Sequence, residues 1–138
     1  MTVNPLPIRF LIVDDDEDDQ EILSTAISRS IVVNNTFSFA ADGEEALTML
    51  NMDPLPDYIF LDLNMPRMNG MQCLTEIKSV AALQHIPVVI YTTSSDESAK
   101  TIAIRLGATA FISKPTRMSD LVSHLNNFFA AQTPIQAV

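Results

Sequence analysis

Short apolar runs alternate with helix-like segments along most of this chain. Five runs are rich in β-branched and aromatic residues, at positions 9–13, 36–40, 58–61, 88–91 and 110–113. They are mostly continuous in hydrophobicity, as are strands that are buried on both faces of a sheet. After each run, apolar side chains recur with the spacing of an amphipathic helix. The pattern therefore predicts five strands that alternate with five helices.

The predicted helices differ in how clearly their apolar faces are marked. The fifth helix has the most regular face, and the fourth, which stops at Gly107, has the weakest. The expected core-facing residues are Ile22, Leu23, Ala26 and Ile27; Ala46, Leu47, Met49 and Leu50; Met71, Leu74, Ile77, Val80 and Ala81; Ala99, Ile102, Ala103 and Leu106; and Leu121, Val122, Leu125, Phe128 and Phe129. Asp16, Asp18 and Asp19 precede the first face and are interpreted as helix-capping residues.

The alternation βαβαβαβαβα predicts an α/β fold with a doubly wound (βα)5 architecture. Its sheet would have five parallel strands, with helices packed on both faces. We expect a single domain over residues 1–138, with a folded core at about 8–129, a short tail and no output domain. In such sheets, ligands bind beyond the carboxyl ends of the strands, near the point where the strand order reverses.

Composition narrows the classes of function. The chain has 17 acidic and 8 basic residues and a net charge of −9, which argues against binding to nucleic acid or to an anionic membrane. No apolar run approaches the roughly 20 residues needed to cross a bilayer, and the first residues do not resemble a signal peptide. The lone cysteine, Cys73, cannot form an internal disulfide and is expected to be a packing residue. These features predict a cytoplasmic protein.

The residues at the ends of the predicted strands have complementary chemistry. They are Asp14 and Asp15 after the first strand, Asp62 after the third, Thr92 after the fourth and Lys114 after the fifth. Because the carboxyl ends of parallel strands meet at one edge of the sheet, we expect these side chains to lie close together. Carboxylates this close repel each other unless a cation intervenes, and oxygen ligands suit Mg²⁺. Without the cation, removal of Asp14 or Asp15 is expected to stabilise the fold.

Four sequence motifs carry a resemblance to a known family. They are FLIVDDDEDD at the first strand, DYIFLDLNMPRMNG at the third, IPVVIYTTS at the fourth and GATAFISKP at the fifth. In order and spacing they resemble the receiver domain of two-component response regulators. The resemblance implies the flavodoxin-like strand order 2-1-3-4-5. It also implies a stand-alone response regulator that receives a phosphoryl group from a sensor histidine kinase or a phosphotransfer protein.

The resemblance implies a role for each residue at the sheet edge. Asp62 resembles the phosphoacceptor, and Lys114 resembles the lysine that pairs with the phosphoryl group. The peptide bond from Lys114 to Pro115 would be cis. A Mg²⁺ or Mn²⁺ ion would be held by Asp14, Asp15, Asp62 and the backbone carbonyl of Asn64.

The resemblance also implies how a signal would leave the domain. Thr92 and Phe111 resemble the switch residues, although Phe111 lacks the hydroxyl of the commoner tyrosine. The output surface would combine the fourth helix, the fifth strand and the fifth helix, and it would bind an unidentified downstream protein. Its residues would include Lys100, Ile104, Arg105, Phe111 and positions 117–120. The protein would be a monomer or a weak homodimer through this face, and it would signal without enzymatic turnover.

Other functions fit the residues less well. An aspartyl-phosphate phosphatase would need a second carboxylate two residues after Asp62, where this chain has Asn64. A flavodoxin-like cofactor carrier would need a phosphate-binding loop after the first strand, where acidic residues would repel a phosphate. A calcium loop would need Gly and a bidentate Glu where Asp19 and Thr25 stand. A receiver-shaped adaptor that works by contact alone is the last alternative, and the complete set of acidic, hydroxyl and lysine residues argues against it.

Overall fold

Strands and helices alternate along the whole described part of the chain, residues 7–31 and 34–132 of the computed structural model. The strands are β1 (Ile8–Val13), β2 (Asn35–Ala40), β3 (Tyr58–Leu61), β4 (Val88–Thr92) and β5 (Ala110–Ser113). The helices are α1 (Glu17–Ser30), α2 (Gly43–Met49), α3 (Gly70–Ser79), α4 (Glu97–Arg105) and α5 (Met118–Ala131). None of the helices in these ranges is long and apolar enough to cross a membrane.

The five strands form one parallel sheet in the order β2-β1-β3-β4-β5. The predicted fold class and strand order are therefore confirmed. The chain passes from β1 to β2 on one side and then to β3 on the other, so the strand order reverses at β1 and β3. Val13 pairs with Leu61, and Thr92 pairs with Ser113. The residues that follow these strands consequently meet at one edge of the sheet, where ligands bind in such folds.

Two hydrophobic layers fill the space between the sheet and its helices. Successive strand residues point to opposite layers, so Phe10 and Ile12 belong to one layer and Leu11 and Val13 to the other. The helix residues of the α1–α5 layer are Leu23, Ala26, Ile27, Leu121, Leu125 and Phe128. Those of the α2–α4 layer are Ala46, Cys73, Leu74, Ile77 and Ala103, together with Leu50, the C-cap of α2. Both faces of the sheet are covered, which explains the continuous hydrophobicity of the strand sequences.

Four residues assigned to the core from their spacing are exposed instead: Ile22, Val80, Ala81 and Ile102. Val80 is the C-cap of α3 and has an extended backbone, with φ −99° and ψ 120°. The helical spacing therefore no longer applies to Val80 or to Ala81. Ile22 and Ile102 each precede a fully buried residue, Leu23 and Ala103. Neighbouring residues lie about 100° apart around a helix, which places Ile22 and Ile102 beside the buried faces of their helices and not at the centre of those faces.

The start of α1 also differs from the prediction. Asp16 is the N-cap, and its Oδ1 accepts hydrogen bonds from the backbone N–H groups of Asp18 at 2.9 Å and Asp19 at 3.2 Å. The capping interpretation is confirmed for Asp16 and wrong for Asp18 and Asp19, which lie inside the first turn. Their side chains are thereby left available for other contacts.

The expected cis bond before Pro115 is not found. Among the described residues, the cis peptide bond is that between Asp53 and Pro54. The backbone N–H of Lys114 donates to the carbonyl of Thr92 at 2.7 Å, so the position of Lys114 is set by its pairing with β4.

Candidate functional site

Backbone pairing continues beyond the strands and brings the predicted site residues together. The N–H of Asp62, just after β3, donates to the carbonyl of Val13 at 3.0 Å. The N–H of Lys114, just after β5, donates to Thr92, the last residue of β4. Asp14 follows β1 directly, and its N–H donates to the carbonyl of Ala40 at 3.0 Å. The sheet edge thus gathers acidic, hydroxyl and lysine side chains, as expected from the positions of the strand ends.

The acidic group consists of Asp14, Asp15 and Asp62, which offer ligand oxygens within 4.8 Å of one another. Asp14 and Asp62 are buried, at 2% and 6% exposure, whereas Asp15 is exposed. Asn64 lies beside them, because its backbone N–H donates to Asp62 Oδ1 at 3.3 Å. Several carboxylate oxygens with one member open to solvent fit a hard divalent cation that retains some of its waters.

Lys114 is held among three carboxylates. Its Nζ lies 2.8 Å from Asp14 Oδ2, 2.8 Å from Asp19 Oδ2 and 3.6 Å from Asp62 Oδ2. Burial disfavours the ammonium, but the hydrogen bonds to Asp14 and Asp19 and the charge of Asp62 outweigh it and raise the pKa of Lys114 above its ordinary value. The ammonium also lies 5.2 Å from the centre of the Tyr91 ring. Lys114 is therefore protonated at neutral pH and partly balances the acidic group.

Asp14 is the most buried member of the acidic group. Burial raises the pKa of Asp14, and the charge of Asp62 adds to the rise. Hydrogen bonds from Lys114 and from the backbone N–H of Asp16, the latter 2.9 Å long, act in the opposite direction. Because burial is the largest of these effects, the charge on Asp14 is costly in the metal-free protein, and a bound cation would lower that cost.

Asp19 is a site residue that was missed in the sequence, where it was interpreted as a cap. It lies in the first turn of α1, and its carboxylate reaches Lys114. A signal was present in the pattern. The buried residues Leu23, Ala26 and Ile27 lie four, seven and eight positions after Asp19. Asp19 therefore extends the core-facing stripe of α1 to the end nearest the strand ends.

The loop between β3 and α3 is packed tightly against the backbone of Asp62. The N–H of Gly70 donates to the carbonyl of Leu63 at 3.0 Å. A Cβ at Gly70 would overlap the carbonyl oxygen of Asp62 and lie 2.6 Å from Leu63 Cα. Asn69 and Gln72 form a reciprocal capping box that fixes the start of α3. The glycine thus allows α3 to begin in direct contact with the residue that carries the central carboxylate.

The two predicted switch residues have different surroundings. Thr92 is fully buried, and its Oγ1 accepts a hydrogen bond from Asn64 Nδ2 at 3.5 Å, which is at the long end for such a bond. Phe111 is half-buried on β5 and packs against the α2–α4 layer. Thr92 is consequently linked to the loop that carries Asp62. Phe111 pairs with Ile90, two residues before Thr92 on the neighbouring strand, and lies where the α2–α4 layer meets β5.

Part of the predicted output surface lies on α4. Ile104 is 45% exposed, as expected from its position off the apolar stripe. Ile102 is 48% exposed, and Lys100 and Arg105 are exposed beside it in sequence. This helix therefore offers apolar and basic side chains to solvent.

Comparison with known proteins gives consistent matches over most of the chain. The family model described as the response regulator receiver domain matches residues 10–126. The response regulator Rcp1 of Synechocystis sp. is 31% identical over 124 residues, which cover 86% of this chain and 83% of Rcp1. The response regulator MprA of Mycolicibacterium vanbaalenii is 28% identical over 130 residues, which cover 94% of this chain and 53% of MprA. The chain thus spans about half the length of the MprA proteins that it matches.

Solved structures of response regulators have the same fold. The Mn²⁺-bound form of Rcp1 has a TM-score of 0.81 and 26% sequence identity, and the match covers 93% of this chain and 98% of that chain. The phosphorylated cyanobacterial phytochrome response regulator RcpA has a TM-score of 0.81 and 27% identity, with the same coverage of both chains.

Proposed function

The chain belongs to the response-regulator receiver domains of two-component signalling, and from this premise we propose that it accepts a phosphoryl group on Asp62. The donor would be a sensor histidine kinase or a phosphotransfer protein. The observation that carries the proposal is the buried Asp62 carboxylate, which has Lys114 at 3.6 Å and two further carboxylates beside it. The similar protein RcpA is known in a phosphorylated form.

In the proposed reaction, a carboxylate oxygen of Asp62 attacks the phosphorus of the donor. The new O–P bond forms as the bond from phosphorus to the donor breaks, and the leaving group departs with that electron pair. Lys114 stays protonated and offers its positive charge to the phosphoryl oxygens. Neither alternative, a contact-only adaptor or an aspartyl-phosphate phosphatase, is favoured. The first has no use for a lysine held among three carboxylates, and the second lacks a carboxylate at the position of Asn64.

We propose that Asp14, Asp15, Asp62 and the backbone carbonyl of Asn64 hold Mg²⁺ or Mn²⁺. The donor set supports this assignment, because it contains only oxygens and its carboxylates lie within 4.8 Å of one another. The similar protein Rcp1 is known in a Mn²⁺-bound form. When bound, the ion would supply positive charge that neutralises the transferring phosphoryl group. Replacement of the exposed Asp15 by Ala should weaken Mg²⁺ binding in calorimetric titrations, while an unchanged affinity would remove Asp15 from the ligand set.

The signal would leave through a changed partner surface. A phosphoryl group adds roughly −1.5 to −2 charges and can reorder a nearby loop. The hydroxyl of Thr92 would turn from Asn64 toward a phosphoryl oxygen, and Phe111 would respond to that movement. We propose that α4, β5 and α5 then bind a downstream protein in the cytoplasm, with no enzymatic turnover by the domain itself.

Phosphorylation by a small donor tests the proposal without knowledge of the kinase. The protein, incubated with acetyl phosphate and Mg²⁺, should gain one phosphoryl group in intact mass spectra, and chelation of the metal should prevent the gain. Asp62→Asn should abolish it, because an amide is a poor nucleophile. Asp120→Asn, at an exposed position in α5, removes the same charge and should leave the gain intact. Equal uptake by wild type and Asp62→Asn would show that the acceptor is another residue.

A further inference from the structure

The ammonium of Lys114 is already engaged by carboxylates other than the proposed acceptor. A lysine can donate three hydrogen bonds. Two of those from Lys114 go to Asp14 and Asp19, each at 2.8 Å. Asp62 Oδ2, at 3.6 Å, lies beyond hydrogen-bonding distance. A phosphoryl group on Asp62 would therefore meet a lysine that has one donor free and whose ammonium is held toward Asp14 and Asp19.

Asp14 and Asp19 are not equivalent partners of Lys114. Asp14 belongs to the acidic group, has a side chain 2% exposed and also accepts the N–H of Asp16. Asp19 comes from a helix instead of a strand end, is not a member of the acidic group, and has a side chain 30% exposed. Its bond to Lys114 can consequently be exchanged for contact with water more easily than that of Asp14.

We propose that Asp19 is a positioning residue that holds Lys114 away from Asp62 in the unphosphorylated protein. When the phosphoryl group on Asp62 draws the ammonium toward itself, the bond to Asp19 is lost and the released Asp19 becomes hydrated. This inference rests on the proposed phosphorylation of Asp62. Removal of the Asp19 charge frees Lys114 for the phosphoryl group. The phosphorylated state is then stabilised relative to the unphosphorylated state.

Fluoroberyllate, which binds an aspartate carboxylate in place of a phosphoryl group, gives an equilibrium measure of this competition. In the presence of Mg²⁺, its affinity can be measured by calorimetric titration for wild type and for Asp19→Asn. We expect Asp19→Asn to bind fluoroberyllate roughly two- to fivefold more tightly, the range expected for loss of a competing, partly exposed ion pair. Asp18→Asn is the matched control, because it removes the same charge from an exposed neighbour in the same turn of α1. Its affinity should stay close to that of wild type.

A double-mutant cycle with Lys114→Met separates the action through the lysine from a general effect of charge. In the Lys114→Met background, Asp19→Asn should no longer change the affinity. The inference is overturned if Asp19→Asn binds equally or less tightly than wild type. It is also overturned if Asp18→Asn raises the affinity for fluoroberyllate as much as Asp19→Asn does, or if Asp19→Asn still raises that affinity in the Lys114→Met background. A wild-type protein that binds no fluoroberyllate would instead refute the proposed phosphorylation of Asp62, and this inference with it. Thermal unfolding of every variant confirms that the compared proteins are folded.

Discussion

Replacement of Asp14 by Ala and of Asp15 by Ala should change the stability of the metal-free protein in opposite directions. From the sequence alone, charge repulsion predicts that both replacements stabilise the fold. The structure predicts different effects for the two replacements, because Asp14 and Asp15 have different surroundings. Asp14 is buried and accepts hydrogen bonds from Lys114 and from the backbone of Asp16, whereas Asp15 is exposed, and no bond from its side chain is found among the described residues.

The magnitudes follow from these surroundings. Breaking a buried ion pair by removing one partner typically costs about 3–5 kcal/mol. For Asp14→Ala we expect a smaller loss, about 2–3 kcal/mol. Lys114 retains Asp19, and the loss is offset because the cost of burying the Asp14 charge and its repulsion with Asp62 both disappear. For Asp15→Ala we expect a gain below about 1 kcal/mol, since two like charges about 5 Å apart in water repel by roughly that amount.

Thermal unfolding in a chelating buffer measures both changes. At roughly 3–6 °C per kcal/mol for a domain of this size, Asp14→Ala should lower the Tm by about 10 °C. Asp15→Ala should raise it by a few degrees. Saturating Mg²⁺ should stabilise wild type by ligand linkage and Asp15→Ala far less, so that wild type becomes the more stable of the two. A Tm for Asp14→Ala above that of wild type in chelator would refute the role given to the hydrogen bonds of Asp14. An Asp15→Ala protein that remains more stable than wild type in saturating Mg²⁺ would refute the metal assignment.

Two further predictions concern the surroundings of the site. Gly70→Ala should lower the Tm strongly and slow phosphoryl uptake, because the new Cβ overlaps the carbonyl of Asp62; wild-type stability and uptake would show that α3 can shift freely. Cys73 is fully buried, and burial raises the pKa of its thiol to about 12. It should therefore react with a thiol reagent at pH 8 only after unfolding in denaturant, and rapid labelling of the native protein would contradict this packing.

The fold and the main site residues could be predicted because both depend on local patterns. Continuous apolar runs marked the strands, and a fixed topological rule placed the residues after them at one edge. Asp14, Asp62 and Lys114 could thus be brought together without coordinates. The order of the strands came from the resemblance of the motifs, since hydrophobic periodicity does not determine which strands are neighbours.

Features that depend on the phase of a helix could not be predicted in the same way. Asp19 faces Lys114 because α1 begins after Asp16, and a start two or three residues later would have turned it elsewhere. The exposure of Val80 likewise depends on where α3 ends. The different surroundings of Asp14 and Asp15 depend on three-dimensional contacts between residues 100 positions apart, such as Lys114 and Asp14.

Chemical mapping of the phosphorylated residue tests the central claim most directly. The protein, phosphorylated with acetyl phosphate and Mg²⁺, can be treated with borohydride, which reduces an aspartyl phosphate to homoserine. Peptide sequencing by mass spectrometry then locates the converted residue. We predict homoserine at position 62 and unmodified aspartate at positions 14, 15 and 19. Conversion at any of those three positions, or none at Asp62 in a protein that has gained a phosphoryl group, would contradict the proposed phosphorylation of Asp62.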